Sequence, residues 1–154
     1  MKTQIPKSTL TPSGYFPKGC FLYIQKIKLK GDFSMSLKEE VEAIICQSIG
    51  TTAYHRFSSI PSFPKITDGV KALADVAGCY WLLDVIGSYQ YEKELDKAFQ
   101  VWKLSVNLEA STAVVRGYND DKLIFTQEIP FTDFALEELK LFLIDGVILL
   151  PSEY

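Results

Sequence analysis

Residues 99–108 read Phe-Gln-Val-Trp-Lys-Leu-Ser-Val-Asn-Leu, and the fold class turns on them. Trp102, Leu104, Val106 and Leu108 alternate with Lys103, Ser105 and Asn107. A period of two places one set on a buried face and the other toward water, which is the pattern of a half-buried strand. The pattern repeats over Thr112–Tyr118 and, after the turn Asn119-Asp120-Asp121, over Lys122–Ile129, which Pro130 ends. Three strands joined by short links predict an antiparallel meander.

Upstream the period is helical. Ser36 followed by Glu39 forms a capping box, and Leu37, Val41, Ile44, Ile45 and Ser48 share one face, so a helix is expected over Ser36–Ser48. Thr51–Phe57 is β-prone, either a short strand or an extended loop, and Ser58–Lys65, with two prolines and three serines, is a loop. Thr67 and Asp68 open a second helix, expected to run to about Tyr89. Its later part, Gly78-Cys79-Tyr80-Trp81-Leu82-Leu83, is apolar on all sides and predicts a central, fully buried helix. Tyr91–Lys97 is a charged connector. Downstream, Asp133 is expected to cap a last helix through about Ile144, with Phe134, Leu139, Phe142 and Leu143 inward. Val147–Leu150 reads as a short final strand. The fold expected is therefore α+β, a meander of three or four strands packed against two or three helices.

Composition sets the frame. The 154 residues are 47% hydrophobic and 23% charged, ordinary for one folded domain. No apolar run approaches the length of a membrane-spanning helix. Net charge is −3, distributed unevenly: residues 1–31 hold six lysines and no acid, which leaves 10 basic and 19 acidic residues for the remainder. An acidic body repels phosphate backbones, so nucleic-acid contact is expected only through the lysine-bearing arm. The organisation expected is an irregular tail or added arm at 1–34, with one possible strand at 21–29, and a single globular domain at 35–154.

Cys20, Cys46 and Cys79 form no Cys-x-x-Cys pair, and His55 is the single histidine, so no metal set is expected. Cys46 and Cys79 fall on apolar helical stretches, where a thiol behaves as a small hydrophobe; a reducing, cytoplasmic location is the expectation. No phosphate-binding loop, dinucleotide fingerprint or nucleophile elbow occurs, and no cofactor is implied. Two residues invite chemistry. Asp84 lies inside the apolar Tyr80–Ile86 stretch, where a carboxylate must be paired, bonded or neutral; its ordinary role is structural or solvent-facing, its functional one a general acid. His55, between Tyr54 and Arg56, offers a general base or an anion site against the plainer role of a half-buried imidazole bonded to a carbonyl. Tyr54, His55, Arg56, Tyr80, Trp81 and Asp84 are the candidate ligand-binding residues, and a site uniting His55 with Asp84 is the one that would matter most. Catalytic residues are not assigned.

Several segments resemble an uncharacterised bacterial domain-of-unknown-function family, common among cyanobacterial and mobile-element proteins. They are Thr67-Asp68-Gly69-Val70-Lys71, Ala77-Gly78-Cys79-Tyr80-Trp81-Leu82-Leu83-Asp84, Gln90, Phe99-Gln100-Val101-Trp102-Lys103-Leu104, Phe131-Thr132-Asp133-Phe134 and Leu149-Leu150-Pro151-Ser152-Glu153-Tyr154, with Tyr54-His55-Arg56 after the first helix. The resemblance runs from about Leu37 to the end. It implies one compact domain and brings no activity, cofactor or catalytic residue. The leading expectation is a small binding or accessory protein acting through contact with another protein or with itself. The alternatives are a small enzyme or ligand-binding domain near His55 and Asp84, and nucleic-acid contact through residues 1–34.

Overall fold

The structure is a computed structural model, which describes residues 35–91 and 98–154. The arm at 1–34, its possible strand at 21–29 and most of the connector after Tyr91 lie outside the described residues.

Helix α1 spans Leu37–Gln47, and its capping box is present: Ser36 Oγ accepts from the Glu39 amide, while Glu39 accepts from the Ser36 amide. Strand β1 (Tyr54–His55) and strand β2 (Lys65–Thr67) pair antiparallel across the proline-bearing loop. Helix α2 (Asp68–Ala77) starts on Thr67, whose hydroxyl accepts from the Val70 amide. The single helix expected to Tyr89 is two helices. Gly78 takes a left-handed conformation (φ +63°), which stops α2, and α3 starts afresh over Tyr80–Tyr89. A residue without Cβ adopts this backbone without strain, so the break was written in the sequence as glycine.

Three long strands follow, as the period of two predicts: β3 (Phe99–Asn107), β4 (Thr112–Asn119) and β5 (Lys122–Ile129). The helix expected from Asp133 to Ile144 is instead strand β6 (Glu138–Ile144), and β7 (Val147–Leu149) closes the set. Glu138–Ile144 reads Glu-Leu-Lys-Leu-Phe-Leu-Ile, and the spacing of Phe134, Leu139, Phe142 and Leu143 fits a helix face as well as a strand. Pairing decides it. Strand β6 lies between β3 and β7, so Leu139, Leu141 and Leu143 are buried on one side while Lys140, Phe142 and Ile144 are half-buried on the other.

The sheet has seven strands in the order β1-β2-β7-β6-β3-β4-β5. It is mixed, because β2 runs parallel to β7, and so is larger than the meander expected; the α+β class holds. Trp102, Leu104 and Val106 of β3, Ala113 and Val115 of β4 and the three leucines of β6 form one cluster with Val70, Leu73 and Ala74 of α2 and Leu82, Leu83 and Ile86 of α3. Cross-strand partners share a face, so the helices cover one side of the sheet.

Two polar devices lock this packing. Gln100, fully buried, exchanges amide hydrogen bonds with Gln90 at the end of α3 and accepts from the Trp102 indole at 3.1 Å. At the far end of the chain, Glu153 in the 3-10 turn Pro151–Glu153 reaches the start of α2. It accepts from the Thr67 hydroxyl at 2.6 Å, the Gly69 amide at 3.1 Å and the Leu150 amide at 2.9 Å. Ser152 donates to the Ile45 carbonyl of α1. This clasp draws the C-terminal segment, α1 and α2 together.

Candidate functional site

The six candidate residues divide between two places. The first is the exposed side of α2. Asp68, at the first turn, gathers the segment before β1: its Oδ2 accepts from the Thr52 amide and hydroxyl and from the Ala53 amide. Its Oδ1 lies 2.6 Å from His55 Nε2. A carboxylate that only accepts requires Nε2 to carry the proton. Hydrogen bonding from His55, then from Thr52 and Ala53, holds the Asp68 carboxyl well below the usual carboxylate range. Side-chain exposures of 33% for His55 and 37% for Asp68 leave the pair open to water at its rim. Two turns on, Asp75 accepts from Lys71 at 2.7 Å and from the Tyr80 hydroxyl. Those bonds, Lys71 first, lower Asp75, and Asp75 in turn pushes the Tyr80 hydroxyl up to about 12. Tyr54 (60% exposed) and Arg56 flank His55 on the outside.

Asp84 is elsewhere. The expectation that α3 is buried all round is corrected: Leu82, Leu83, Ile86 and Gly87 face inward, whereas Asp84 and Ser88 are exposed and Trp81 and Val85 half-buried. The helix is amphipathic after all, with a tryptophan and a valine on its wetter side. Asp84 is thus hydrated, and the carboxylate partner of His55 is Asp68.

The second place lies between the outer side of α3 and β5. Asp84, Val85, Ser88 and Tyr89 of α3 face Phe125 and Gln127 of β5 across a groove of about 380 Å³. Trp81 and Val85 face Gln127, Ile129 and the Phe131–Asp133 segment across another of about 420 Å³. Val85 and Gln127 line both, so the two grooves adjoin at that pair and together make up the channel between α3 and β5. Tyr89 and Phe125 of its lining pack on each other and on the buried Trp102 beneath, with ring centroids 4.6–5.8 Å apart; the Tyr89–Trp102 contact is edge to face and the other two are tilted. At the inner end the register of β5 slips opposite Gly117 and Tyr118, and the Tyr89 hydroxyl donates to the Ile124 carbonyl at 2.6 Å. Phe131, 73% exposed, stands at the outer end. Among the described residues, Asp84 and Asp133 are the charged ones that line the channel.

Sequence reasoning found Trp81 and Asp84 but missed Phe125, Gln127, Ile129 and Phe131. The available signal was Phe131, a large apolar residue between Pro130 and the polar Thr132-Asp133, just past the end of a strand.

Among the described residues no group of three or more His, Cys, Asp and Glu could hold a metal ion. Cys79 is buried, and burial pushes its thiol up to about 12, which keeps it protonated. No helix among the described residues is long and apolar enough to cross a membrane.

The sequence model of a family of unknown function, DUF6876, matches residues 39–154, and the chain belongs to that family. The domain-of-unknown-function resemblance is thereby confirmed over this span. No curated protein and no solved structure matches the chain.

Proposed function

We propose that this member of the family acts by binding, as an accessory partner of another protein, and that the channel between α3 and β5 is its contact site. The observation that carries this is the grouping of Trp81, Val85, Phe125, Ile129 and Phe131 in one open channel, with Phe131 73% exposed. An open groove that sets aromatic and apolar side chains among polar ones such as Asp84, Ser88, Gln127 and Asp133, with Phe131 exposed at its end, has the composition of a protein contact rather than of a closed small-molecule site. Trp81 and Asp84 enter as contact residues.

The test is affinity capture from lysate of the source organism with the full chain and with the Phe131→Asp and Trp81→Ala variants as baits. Leu123→Asp serves as control, because Leu123 is 50% exposed on β5 outside the channel. A stoichiometric partner retained by wild type and control and lost from both channel variants supports the assignment. A partner bound equally by all four baits places the contact elsewhere and overturns it.

A ligand site beside Tyr54, His55, Arg56 and Tyr80 is the second reading. It is favoured by the one-third exposure of an imidazole already oriented by a carboxylate. Chemical-shift mapping against a small-molecule library, with His55→Gln as the variant, tests it; shifts confined to the α3–β5 channel would exclude it.

A further inference from the structure

All three helices contribute to the cluster on the side of the sheet that carries Trp102, Leu104 and Val106, which leaves the opposite side without a described helix. On that opposite side the register sets cations abreast. Lys140 of β6 pairs with Lys103 of β3, Lys103 with Arg116 of β4, and Arg116 with Thr126 of β5. Residues directly across from each other share a face, and like charges placed so are destabilising. Neither Lys103 nor Arg116 has an ion-pair partner among the described residues. Three of the ten basic residues outside 1–31 thus stand in one row, at a cost to the fold, in a body whose acidic residues outnumber its basic ones. At about 4.8 Å per strand the row is roughly 10 Å long from Lys140 to Arg116.

The rows on either side differ in kind. On one, Phe142, Val101 and Tyr118 are in register. The Lys103 ammonium lies 4.9 Å from the centre of the Tyr118 ring, and that of Lys140 lies 5.0 Å from the centre of Phe142, so charges and ring faces interleave. Phe142 also packs on Phe99 and on Tyr154, which is 79% exposed. On the other, Ser105 and Val114 lie between Glu138 and Glu128. Beyond the aromatic row the turns hold Asp120, Asp121 and Asp145, so the cations form a confined strip with rings beside it.

We infer that this strip and its aromatic row bind single-stranded nucleic acid, with phosphates along Lys140, Lys103 and Arg116 and bases over Tyr118 and Phe142. Charge decides the sign of the ligand, and the order of the rows decides its class. A nucleic-acid strand carries flat bases beside its phosphates, as the sheet carries rings beside its cations. An acidic peptide would leave the rings unused. Residues 1–31, with six lysines and no acid, would meet like charge on the strip, so the arm is not the occupant. Phosphates and base faces are common to RNA and DNA, so the face takes either. The α3–β5 channel lies on the other side of the sheet and is a separate surface.

The experiment is fluorescence anisotropy of the full chain with a labelled oligothymidylate about ten residues long, an abasic strand of equal length and an oligoglutamate peptide of equal charge. Oligothymidylate is expected to bind, with log K falling by at least about 2 per decade of salt, the slope that about three phosphate contacts to a single strand give. Lys103→Gln/Arg116→Gln should weaken binding about tenfold or more at about 50 mM salt and lower that slope by about 1.4, the share of two contacts. Lys38→Gln/Lys71→Gln makes the same charge change on α1 and α2 and should leave both near wild type. Tyr118→Leu should weaken binding about fivefold or more without changing the slope, because it removes a stacking face and no charge. The abasic strand should bind about tenfold more weakly than oligothymidylate. That comparison needs no substitution, so it decides even where a variant fails to fold. Equal losses from the two double variants, or none from either, assign the contact to net charge or to residues 1–34 and overturn the sheet face as the site. An abasic strand bound as tightly as oligothymidylate overturns the stacking, and oligoglutamate bound as tightly makes an acidic protein segment the occupant; either overturns the assignment to nucleic acid. Absence of oligothymidylate binding at the lower salt overturns it outright.

Discussion

Glu153→Ala removes the carboxylate that ties the last residues of the chain to the start of α2. Three donors lose their acceptor: the Thr67 hydroxyl at 2.6 Å, the Gly69 amide at 3.1 Å and the Leu150 amide at 2.9 Å. Thr67, Gly69 and Leu150 are all buried, so water does not replace the carboxylate freely. A hydrogen bond to a charged group contributes about 1.5–3 kcal/mol, and a buried donor left unmade costs about 1–3 kcal/mol. The three are not additive, because one half-exposed carboxylate serves them all. The expected loss is therefore about 2–4 kcal/mol, below the sum. A chain of this size loses roughly 3–5 °C of Tm per kcal/mol, so the transition should fall by about 10 °C. Glu153→Gln keeps the shape but removes the charge opposite the positive end of α2, and should cost about 1 kcal/mol. Gly69→Ala probes the same contact from the other side. A Cβ there would stand 2.7 Å from Glu153 Oε1 and 2.8 Å from Ser48 Cβ, closer than atoms pack. Part of that clash disappears in the Glu153→Ala background, so the double-mutant cycle should show coupling of at least about 1 kcal/mol. The assay is urea unfolding of the four proteins, followed by circular dichroism. A Glu153→Ala change within about 0.5 kcal/mol of wild type, the range of an ordinary surface substitution, would refute the clasp.

Asp68 is held below the usual carboxylate range in the fold, so the unfolded chain binds the proton first as pH falls. Its contribution is complete above the unfolded value of about 4 and declines as acid is added below it; Asp68→Asn should flatten that limb of a stability–pH curve and leave its shape above pH 5 unchanged. Gly78→Ala places a Cβ at φ +63°, in open space, so the cost is backbone strain alone, about 1–2 kcal/mol by thermal denaturation. Tyr89→Phe deletes the bond to the Ile124 carbonyl at the slip in β5 and should cost about 1 kcal/mol. Its distinguishing sign is faster amide exchange around Ile124 than in β3. Asp84→Ala, on an exposed helix position, should leave unfolding within about 0.5 kcal/mol of wild type, measured by the same urea titration.

Local chemistry alone determined a good part of this protein. The Ser36–Glu39 capping box, the Thr67 cap, the period of two through Phe99–Ile129 and the turn at Asn119–Asp121 all act within a few residues, and each stands where the sequence places it. Gly78 carried a stop signal too, but the apolar run after it suggested continuity, and only the left-handed backbone there separates α2 from α3. What pairing and packing decided lies beyond that range. Glu138–Ile144 satisfies either period, and it is a strand because β3 and β7 flank it. The parallel seam between β2 and β7 joins residues about 80 apart, and nothing local encodes it. The helix that carries Asp84 looked buried all round because the run Tyr80–Ile86 is otherwise apolar, which left a structural or a solvent-facing role open for the carboxylate. On a helix those neighbours turn away from it, and it faces water. His55 met Asp68 for the same reason: the sequence supplied both groups, and the docking of β1 beside the first turn of α2 chose the partner.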